Sequence, residues 1–285
     1  MSSEILVKPA AQPASDGAFL TVTPASAGWS HVGFEALALS AGQVAERDSD
    51  GRECCVVVIA GHVHVRSQDG EWRDVGGRPD PFSGTPDAVY LPPGGRFAVE
   101  GAGDGAEVGL CFAPAPNGGV PARRIAAADV PATTRGYDRH ERTVHDVLMV
   151  SDPAESLLVT EVITPSGNWS SYPPHKHDRD ALPDECLLEE TYYHRVTPAD
   201  GFGIQRVYSD DRTLDETVAF SDRDLVLVPR GYHAVAAPPG VALYYLNVMA
   251  GPVRTWAFQD DPALAWTRAD GATTDLPIPK EHPAR

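Results

Sequence analysis

Two short stretches decide the fold of this chain: Pro173–Asp178, with the sequence PPHKHD, and Pro229–His233, with the sequence PRGYH. The first places two imidazoles two positions apart, at His175 and His177. Side chains at i and i+2 point to the same face of a β-strand. A strand here therefore presents two nitrogen ligands side by side, and His233, at the end of another apolar run, supplies a third. Together they predict a metal site.

The fourth ligand is predicted in the strand-like run Leu187–Tyr193, with the sequence LLEETYY. Residues 178–187 before it have the turn formers of an inserted loop. Glu189 and Glu190 point to opposite faces of a strand, so only one of them can face a metal. We favour Glu190, because it then shares the inner face with Tyr192. Three histidines and one glutamate inside a small β-barrel are the metal signature of a cupin.

Composition and charge limit the classes of function. The chain has 285 residues, 42% of them hydrophobic and 22% charged, which suits a soluble globular protein of one large or two ordinary domains. Its net charge of −17 disfavours nucleic acid and anionic membranes as partners. No apolar run approaches the roughly 20 residues of a membrane helix. The N-terminus lacks the basic and apolar regions of a secretory signal. The four cysteines have no zinc-finger spacing, so we expect a reduced, cytoplasmic protein.

The pattern of apolar runs predicts an all-β protein. The runs are short, and clusters of Gly, Pro, Asp and Ser separate them, as in sandwiches and barrels. A short helix is expected near Pro262–Trp266. The predicted strands are Phe34–Leu39, Cys54–Ile59, Ala88–Leu91, Val108–Phe112, Leu157–Thr164, Phe202–Tyr208, Asp224–Val228 and Val241–Val248.

An internal repeat organises the chain. Val89–Val99 (VYLPPGGRFAV) aligns without gaps with Leu225–Val235 (LVLVPRGYHAV). In this alignment Phe97 stands where the second copy has His233. The repeat predicts two copies of one barrel, with metal ligands in the second copy only.

The repeat also predicts the domain boundaries. Residues 1–115 form an N-terminal barrel without metal ligands, residues 116–135 a linker, and residues 136–285 a metal-binding barrel with a C-terminal tail. The first copy has its own histidine pair, His62 and His64, but it follows a later strand and lacks a third histidine. We expect that pair to be structural.

Four motifs carry a family resemblance: Thr164–Asp178, Leu188–Tyr193, Pro229–His233 and Tyr244–Gly251. With them the chain resembles the 5-deoxy-glucuronate isomerase family of bacterial myo-inositol catabolism, which is related to the uronate ketol-isomerases of pectin breakdown. The resemblance implies a bicupin, meaning two tandem double-stranded β-helix (jelly-roll) barrels. It implies a divalent metal and an aldose–ketose isomerisation of 5-deoxy-glucuronate to 5-dehydro-2-deoxy-gluconate. In the related family the metal glutamate directly precedes an aromatic strand, which supports Glu190.

Roles follow for individual residues. One divalent ion is expected, and the sequence does not distinguish Zn, Mn, Fe, Co or Ni. Its ligands are predicted to be His175, His177, Glu190 and His233. The expected catalytic groups are Glu190, Tyr192 and Tyr232. A cation must hold the carboxylate of the substrate. The substrate-binding candidates are Arg206, Arg254 and Asn247.

Several alternatives stay open. The chain is either this isomerase, another uronate ketol-isomerase, a metal-dependent cupin dioxygenase or a non-catalytic sugar-binding cupin. An isomerase would bind a small deoxy-uronic acid. The sequence does not decide between enediol proton transfer and a hydride shift, and it leaves homo-oligomerisation open.

Overall fold

The structure is a computed structural model that describes residues 3–268, and they form an almost entirely β-stranded protein. Its short helical segments are α1 (Pro24–Ala27) and three 3-10 turns at Ala127–Asp129, Asp138–His140 and Ala265–Arg268. The strands of the first half are β1 (Leu6–Val7), β2 (Ala18–Val22), β3 (Gly33–Leu39), β4 (Val44–Asp48), β5 (Arg52–Ser67), β6 (Gly70–Gly76), β7 (Asp87–Leu91), β8 (Arg96–Pro114) and β9 (Arg123–Ile125).

The second half repeats the pattern of short antiparallel strands. All eight predicted runs coincide with strands, four of them starting one residue too early, and the expected helix near Pro262–Trp266 appears as the last 3-10 turn. The strands are β10 (Ala132–Arg135), β11 (Arg142–Leu148), β12 (Leu158–Thr164), β13 (Trp169–Lys176), β14 (Asp178–Ala181), β15 (Glu185–Leu187), β16 (Glu189–Thr197), β17 (Gly203–Tyr208), β18 (Asp215–Phe220), β19 (Leu225–Val228), β20 (Tyr232–Ala236), β21 (Ala242–Ala250) and β22 (Gln259–Asp260).

Each half builds its own set of sheets. The first has the order β2-β3-β8-β5-β7-β9, with β4 on β8 and β6 on β5. The second packs the sheet β1-β19-β16-β21-β12-β11-β10 against the sheet β18-β17-β20-β13-β22. The short pair β14-β15 forms the predicted insertion. Antiparallel sheets of this kind in both halves, one continuous in the first half and two packed face to face in the second, fit the architecture of a bicupin.

The two halves share one hydrophobic core. Phe34 of the first half packs against Tyr193 of the second, with ring centroids 5.4 Å apart. Buried ion pairs cross the same boundary. Arg78 donates two hydrogen bonds to Glu161, at 2.9 and 2.5 Å, and both side chains are almost fully buried. The two barrels are therefore packed through a buried, partly charged face.

Strand pairing departs from the predicted boundaries at three places. β1 pairs with β19 of the second barrel, so the N-terminal strand leaves the barrel to which residues 1–115 were assigned. The predicted linker, residues 116–135, contains β9, which pairs with β7, and β10, which pairs with β11. Edge strands with free backbone groups gain from such partners. The division at residues 115 and 136 stays a prediction, and the predicted tail beyond residue 268 lies outside the described residues.

None of the described helices is long and apolar enough to cross a membrane.

Candidate metal centre and its cavity

Three histidines meet inside the second barrel. His175 on β13 lies directly opposite His233 on the antiparallel strand β20, and His177 follows two positions after His175. One ring nitrogen from each of them lies within 4.8 Å of the others. Among residues 3–268 this is the one cluster of three or more potential metal ligands. All three imidazoles are buried, so strand alternation and register bring them together as the sequence predicts.

Hydrogen bonds fix the tautomers of two of these imidazoles. Nδ1 of His177 lies 3.1 Å from the carbonyl oxygen of Leu188, and Nδ1 of His233 lies 3.1 Å from that of Gly231. A carbonyl oxygen only accepts, so each Nδ1 carries the proton and donates it. In the neutral ring the Nε2 lone pair then points into the barrel. Metal-binding histidines are commonly oriented in this way.

Glu190 supplies the carboxylate. Its Oε2 atom lies 3.1 Å from Nε2 of His177 and 3.2 Å from Nε2 of His233. Burial alone would raise the pKa of this carboxyl, but His233 and His177 together lower it to about 2. Burial also lowers the pKa of His175 well below its usual range, and the neighbouring His233 and His177 lower it further. Burial would lower the pKa of His177, but the hydrogen bond and the charge of Glu190 raise it. The ionised carboxylate is therefore stabilised by the imidazoles beside it, and His175 stays neutral.

That arrangement fits a divalent ion. When both rings are neutral with the proton on Nδ1, a carboxylate oxygen and two Nε2 lone pairs face one another at hydrogen-bond distance without a proton to share. The Nε2 atom of His233 is buried without a hydrogen-bond partner among the described residues. A divalent cation held by these side chains would remove the repulsion. Three imidazoles and one carboxylate suit Zn, Mn, Fe, Co and Ni.

Glu189 lies on the opposite face of β16. Its carboxylate accepts the backbone N–H groups of Ser30, His31 and Val32 at 2.7, 2.8 and 2.9 Å. It thus ties the first barrel to the second and stays away from the histidines. The strand geometry supports the preference for Glu190 over its neighbour.

His175 and Glu190 line a cavity of about 160 Å³. Hydroxyl groups form one part of its wall: Oγ of Ser171 lies 2.9 Å from the hydroxyl of Tyr192 and 3.2 Å from that of Tyr245. Burial raises the pKa of Tyr192 well above its usual range, and Glu190 and Tyr245 raise it further. The phenol therefore stays protonated and can donate a hydrogen bond into the cavity.

Besides His175 and Glu190, two other predicted site residues line this cavity: Tyr192 and Asn247. Asn247 on β21 donates to the carbonyl of Thr191 at 3.3 Å, so its amide nitrogen is held by the neighbouring strand. Its position agrees with the substrate-binding role expected from the sequence, and the role itself stays a prediction.

Tyr232 and Arg206 lie outside the cavity. Tyr232 is adjacent to His233 on β20, so alternation turns it outwards, where its hydroxyl donates to Asp210 at 2.9 Å. Arg206 pairs across the sheet with Ala234, the other neighbour of His233, and its guanidinium binds Asp215 at 2.9 Å. Both side chains therefore lie on the outer face of the sheet. This position corrects the catalytic role expected for Tyr232 and the substrate-binding role expected for Arg206.

Arg254 is also displaced from the site. Its guanidinium donates to the carbonyl oxygens of Leu157 at 2.8 Å, Met149 at 2.6 Å and Val150 at 3.3 Å. With its donors used to hold a loop, it does not reach the cavity, and its expected substrate-binding role is corrected.

Sequence reasoning missed several groups that do line the cavity. Ser171 lies within a recognised motif, but its positive φ of 49°, which turns its side chain into the cavity, leaves no mark in the sequence. Trp256 and Phe258 follow the last long strand and form an aromatic wall beside His175. Arg142 is the first residue of β11. Strand alternation places it on the same face as Val144, which also lines the cavity, and this pattern could have identified it from the sequence.

The first barrel has no comparable site within the described residues. Phe97, the counterpart of His233, is buried and packs near Phe112, with ring centroids 6.4 Å apart. Nδ1 of His64 accepts the backbone N–H of Asp74 at 3.1 Å, as a structural residue would. At the position of His233 the first barrel has Phe97, which cannot bind a metal. The histidine cluster is therefore found in the second barrel.

Two barrels with a three-histidine, one-glutamate site in the second define this protein as a bicupin. Solved structures agree on the class: oxalate decarboxylase from Lactobacillus farciminis superposes with a TM-score of 0.62 over 91% of this chain and 89% of its own, at 12% identity. The chain belongs to the KduI/IolB family, whose pattern it matches over residues 5–267.

Two relatives are much more similar. An IolB-like protein from Salmonella typhimurium superposes with a TM-score of 0.90 at 42% identity, covering 94% of this chain and all of its own. The 5-deoxy-glucuronate isomerase of Geobacillus kaustophilus is 49% identical over 262 residues, which are 92% of this chain and 94% of that protein. The similarity therefore extends over both barrels.

Proposed function

We propose that this protein is a metal-dependent 5-deoxy-glucuronate isomerase, which converts that sugar acid to 5-dehydro-2-deoxy-gluconate in myo-inositol catabolism. The proposal rests on the cavity in which His175 and Glu190 lie among a row of hydroxyl groups, with His177 and His233 in contact with Glu190. Relatives that match most of the chain bear the name of this enzyme. The expected cytoplasmic setting and the expected homo-oligomer stay predictions.

An aldose–ketose isomerisation moves two hydrogen atoms, one between neighbouring carbons and one between their oxygens. One passes from C2 to C1, and the other from the C2 hydroxyl to the C1 oxygen. His175, His177, Glu190 and His233 would hold one divalent ion beside these two oxygens. When bound, the ion supplies Lewis acidity, which polarises the carbonyl group.

The protein's own groups handle the proton between the oxygens. Tyr192 stays protonated, and its hydroxyl lies within hydrogen-bond distance of Ser171, which in turn reaches Tyr245. A chain of hydroxyls can donate a proton at one oxygen while it accepts one from the other. Tyr192 is therefore the group proposed to act on the substrate oxygens, with Ser171 and Tyr245 holding it in place.

Apolar side chains in the cavity wall limit the water beside the reacting atoms. Trp256 and Phe258 stand beside His175, and Val144 lines the cavity beyond them. Glu190 is the one carboxylate that lines the cavity among residues 3–268. Hydrogen bonds and charges act more strongly in such an enclosed site than in water.

A direct assay separates this proposal from its alternatives. Purified, metal-loaded protein is incubated with 5-deoxy-glucuronate, and the reaction is followed by NMR without a nicotinamide cofactor and with oxygen uptake recorded. The proposal expects conversion to the ketose without oxygen uptake. Turnover of the pectin-derived uronate alone would mark another uronate ketol-isomerase, oxygen uptake would mark a dioxygenase, and binding without turnover would mark a sugar-binding cupin.

A further inference from the structure

An arginine without an acidic partner faces the metal-site cavity. Arg142 lines it at the start of β11, half-buried, on the same face of the strand as Val144. Its one hydrogen bond within residues 3–268 runs from Nη1 to the carbonyl oxygen of His140, at 3.1 Å. The side chains of Tyr245 and Tyr192 lie near its guanidinium. The cation is thus held in the same cavity as the hydroxyl groups.

Neighbouring arginines raise the free-energy cost of holding Arg142 in the cavity without a carboxylate partner. Arg135 lies directly opposite it on β10, and like charges in such a cross-strand pair repel. Arg135 binds Asp146 at 2.6 Å, and Arg268, the third arginine of the cavity wall, binds Asp260. Burial lowers the pKa of Arg142, and the nearby Arg268 and Arg135 lower it further. Of the three cations only Arg142 lacks an acidic partner among the described residues.

The rest of the molecule makes a local cation necessary for an anionic ligand. The net charge of −17 repels anions over the surface as a whole. A sugar acid that reaches this cavity leaves water, and its carboxylate then needs a partner. A guanidinium offers two parallel donors to the two oxygens of a carboxylate.

We propose that Arg142 binds the carboxylate of the substrate and sets the specificity of the cavity for sugar acids over neutral sugars. This rests on the proposed function, in which the same cavity holds an aldehyde and its neighbouring hydroxyl beside Glu190. The substrate then lies with its reacting end at the histidines and its acid end at Arg142. The hydroxyls of Tyr192 and Tyr245 lie along its length. Arg142 replaces Arg206 and Arg254, which the fold places elsewhere.

The test measures binding with a pair of probes that cannot isomerise. The acid probe is 5-deoxy-glucuronate with its aldehyde reduced to an alcohol, and the neutral probe has its carboxylate reduced as well. Calorimetry on the metal-loaded protein should show that the acid probe binds about tenfold to a hundredfold more tightly, because a hydrogen-bonded charge pair is lost with the carboxylate. Arg142→Met should abolish that preference, and Arg142→Lys should keep only part of it, since a lysine retains the charge without the paired donors.

The matched control is Arg206→Met, which removes an arginine from the outer face of the same barrel and should keep the full preference. Metal content should be unchanged in all of these variants. A wild-type protein that binds both probes equally, or an Arg142→Met variant that keeps the preference, overturns the proposal. So does an Arg142→Lys variant with full preference.

Turnover of 5-deoxy-glucuronate, followed by NMR on the same samples, tells this failure from failure of the proposed function. Conversion by Arg142→Met with an unchanged KM refutes the role of Arg142 and leaves the isomerase. A wild-type protein that prefers the acid probe through Arg142, yet does not convert the sugar, keeps the anion site and refutes the isomerase.

Discussion

Oε2 of Glu190 lies 3.1 Å from Nε2 of His177, while the carboxylate of the adjacent Glu189 lies on the other side of the strand, on the backbone of residues 30–32. One residue of register therefore separates the proposed metal ligand from a structural tie. The two glutamates have the same chemistry and opposite surroundings, so they form a natural pair for mutagenesis.

Glu190→Gln should lower kcat by about 10²–10⁴-fold, because an amide binds a divalent ion poorly and cannot act as a base. Metal content should fall with it. Glu189→Gln is the matched control, and it should retain metal while lowering the thermal midpoint, since three backbone N–H groups lose an ionised acceptor. Equal metal content in the two variants, measured by mass spectrometry, would argue against Glu190 as a ligand.

Tyr192→Phe should reduce kcat by about 10²-fold with little change in metal content, because it removes a positioned proton donor and leaves the ring in place. Tyr232→Phe removes the same hydroxyl from the outer face, where it contacts Asp210, and should turn over at nearly the wild-type rate. Steady-state kinetics on the two variants make the comparison. A large loss in the Tyr232 variant alone would show that the cavity has been assigned to the wrong face.

The histidine pair of the first barrel should be dispensable for metal binding. His62→Gln combined with His64→Gln should leave metal content and turnover nearly unchanged, since neither imidazole belongs to the described cluster. Metal analysis of the double variant checks this. Loss of the ion on that change would mean that the internal repeat had been aligned incorrectly.

Acid should weaken the boundary between the barrels through Glu161. Burial would raise the pKa of this carboxyl, but Arg78, with hydrogen bonds from His145 and Tyr244, holds it below its usual range. A carboxyl whose folded pKa is lowered adds stability above the usual glutamate pKa of about 4.3, and the gain is lost as pH falls through the folded value. Glu161→Gln should therefore cost about 3–5 kcal/mol at pH 7 and much less at low pH.

Urea unfolding at pH 7 and in acid measures that difference. Glu71→Gln is the control, because its pair with Arg73 is exposed and should contribute less than about 1 kcal/mol. A Glu161 penalty that stays constant from neutral to acid pH would contradict the assignment of this carboxylate as ionised in the folded protein.

The sequence predicts the cluster of three histidines with Glu190 beside it, because its pieces follow local rules. His175 and His177 share a face through the two-residue period of a strand, and the same period separates Glu190 from Glu189. The repeat identifies Phe97 as the residue that replaces His233. These features need no knowledge of which strands pair with one another.

The substrate end of the cavity depends on pairing, and there the sequence predicts less. Arg206 has a suitable side chain, but its cross-strand partner is Ala234, on the face away from His233. Arg142 comes from a region next to the expected linker, and the pairing of β11 with β12 joins its strand to the sheet that lines the cavity. Tyr232 could have been excluded from the sequence, because it is adjacent to His233 on one strand.

We predict that one divalent ion in the second barrel carries the activity, so metal content and turnover should be measured on the same samples. We expect one equivalent per chain, loss of both the ion and the conversion of 5-deoxy-glucuronate on chelation, and recovery of both when a divalent metal is added. In His175→Ala combined with His233→Ala, neither should return. Two equivalents per chain, or full turnover by the metal-free double variant, would contradict it.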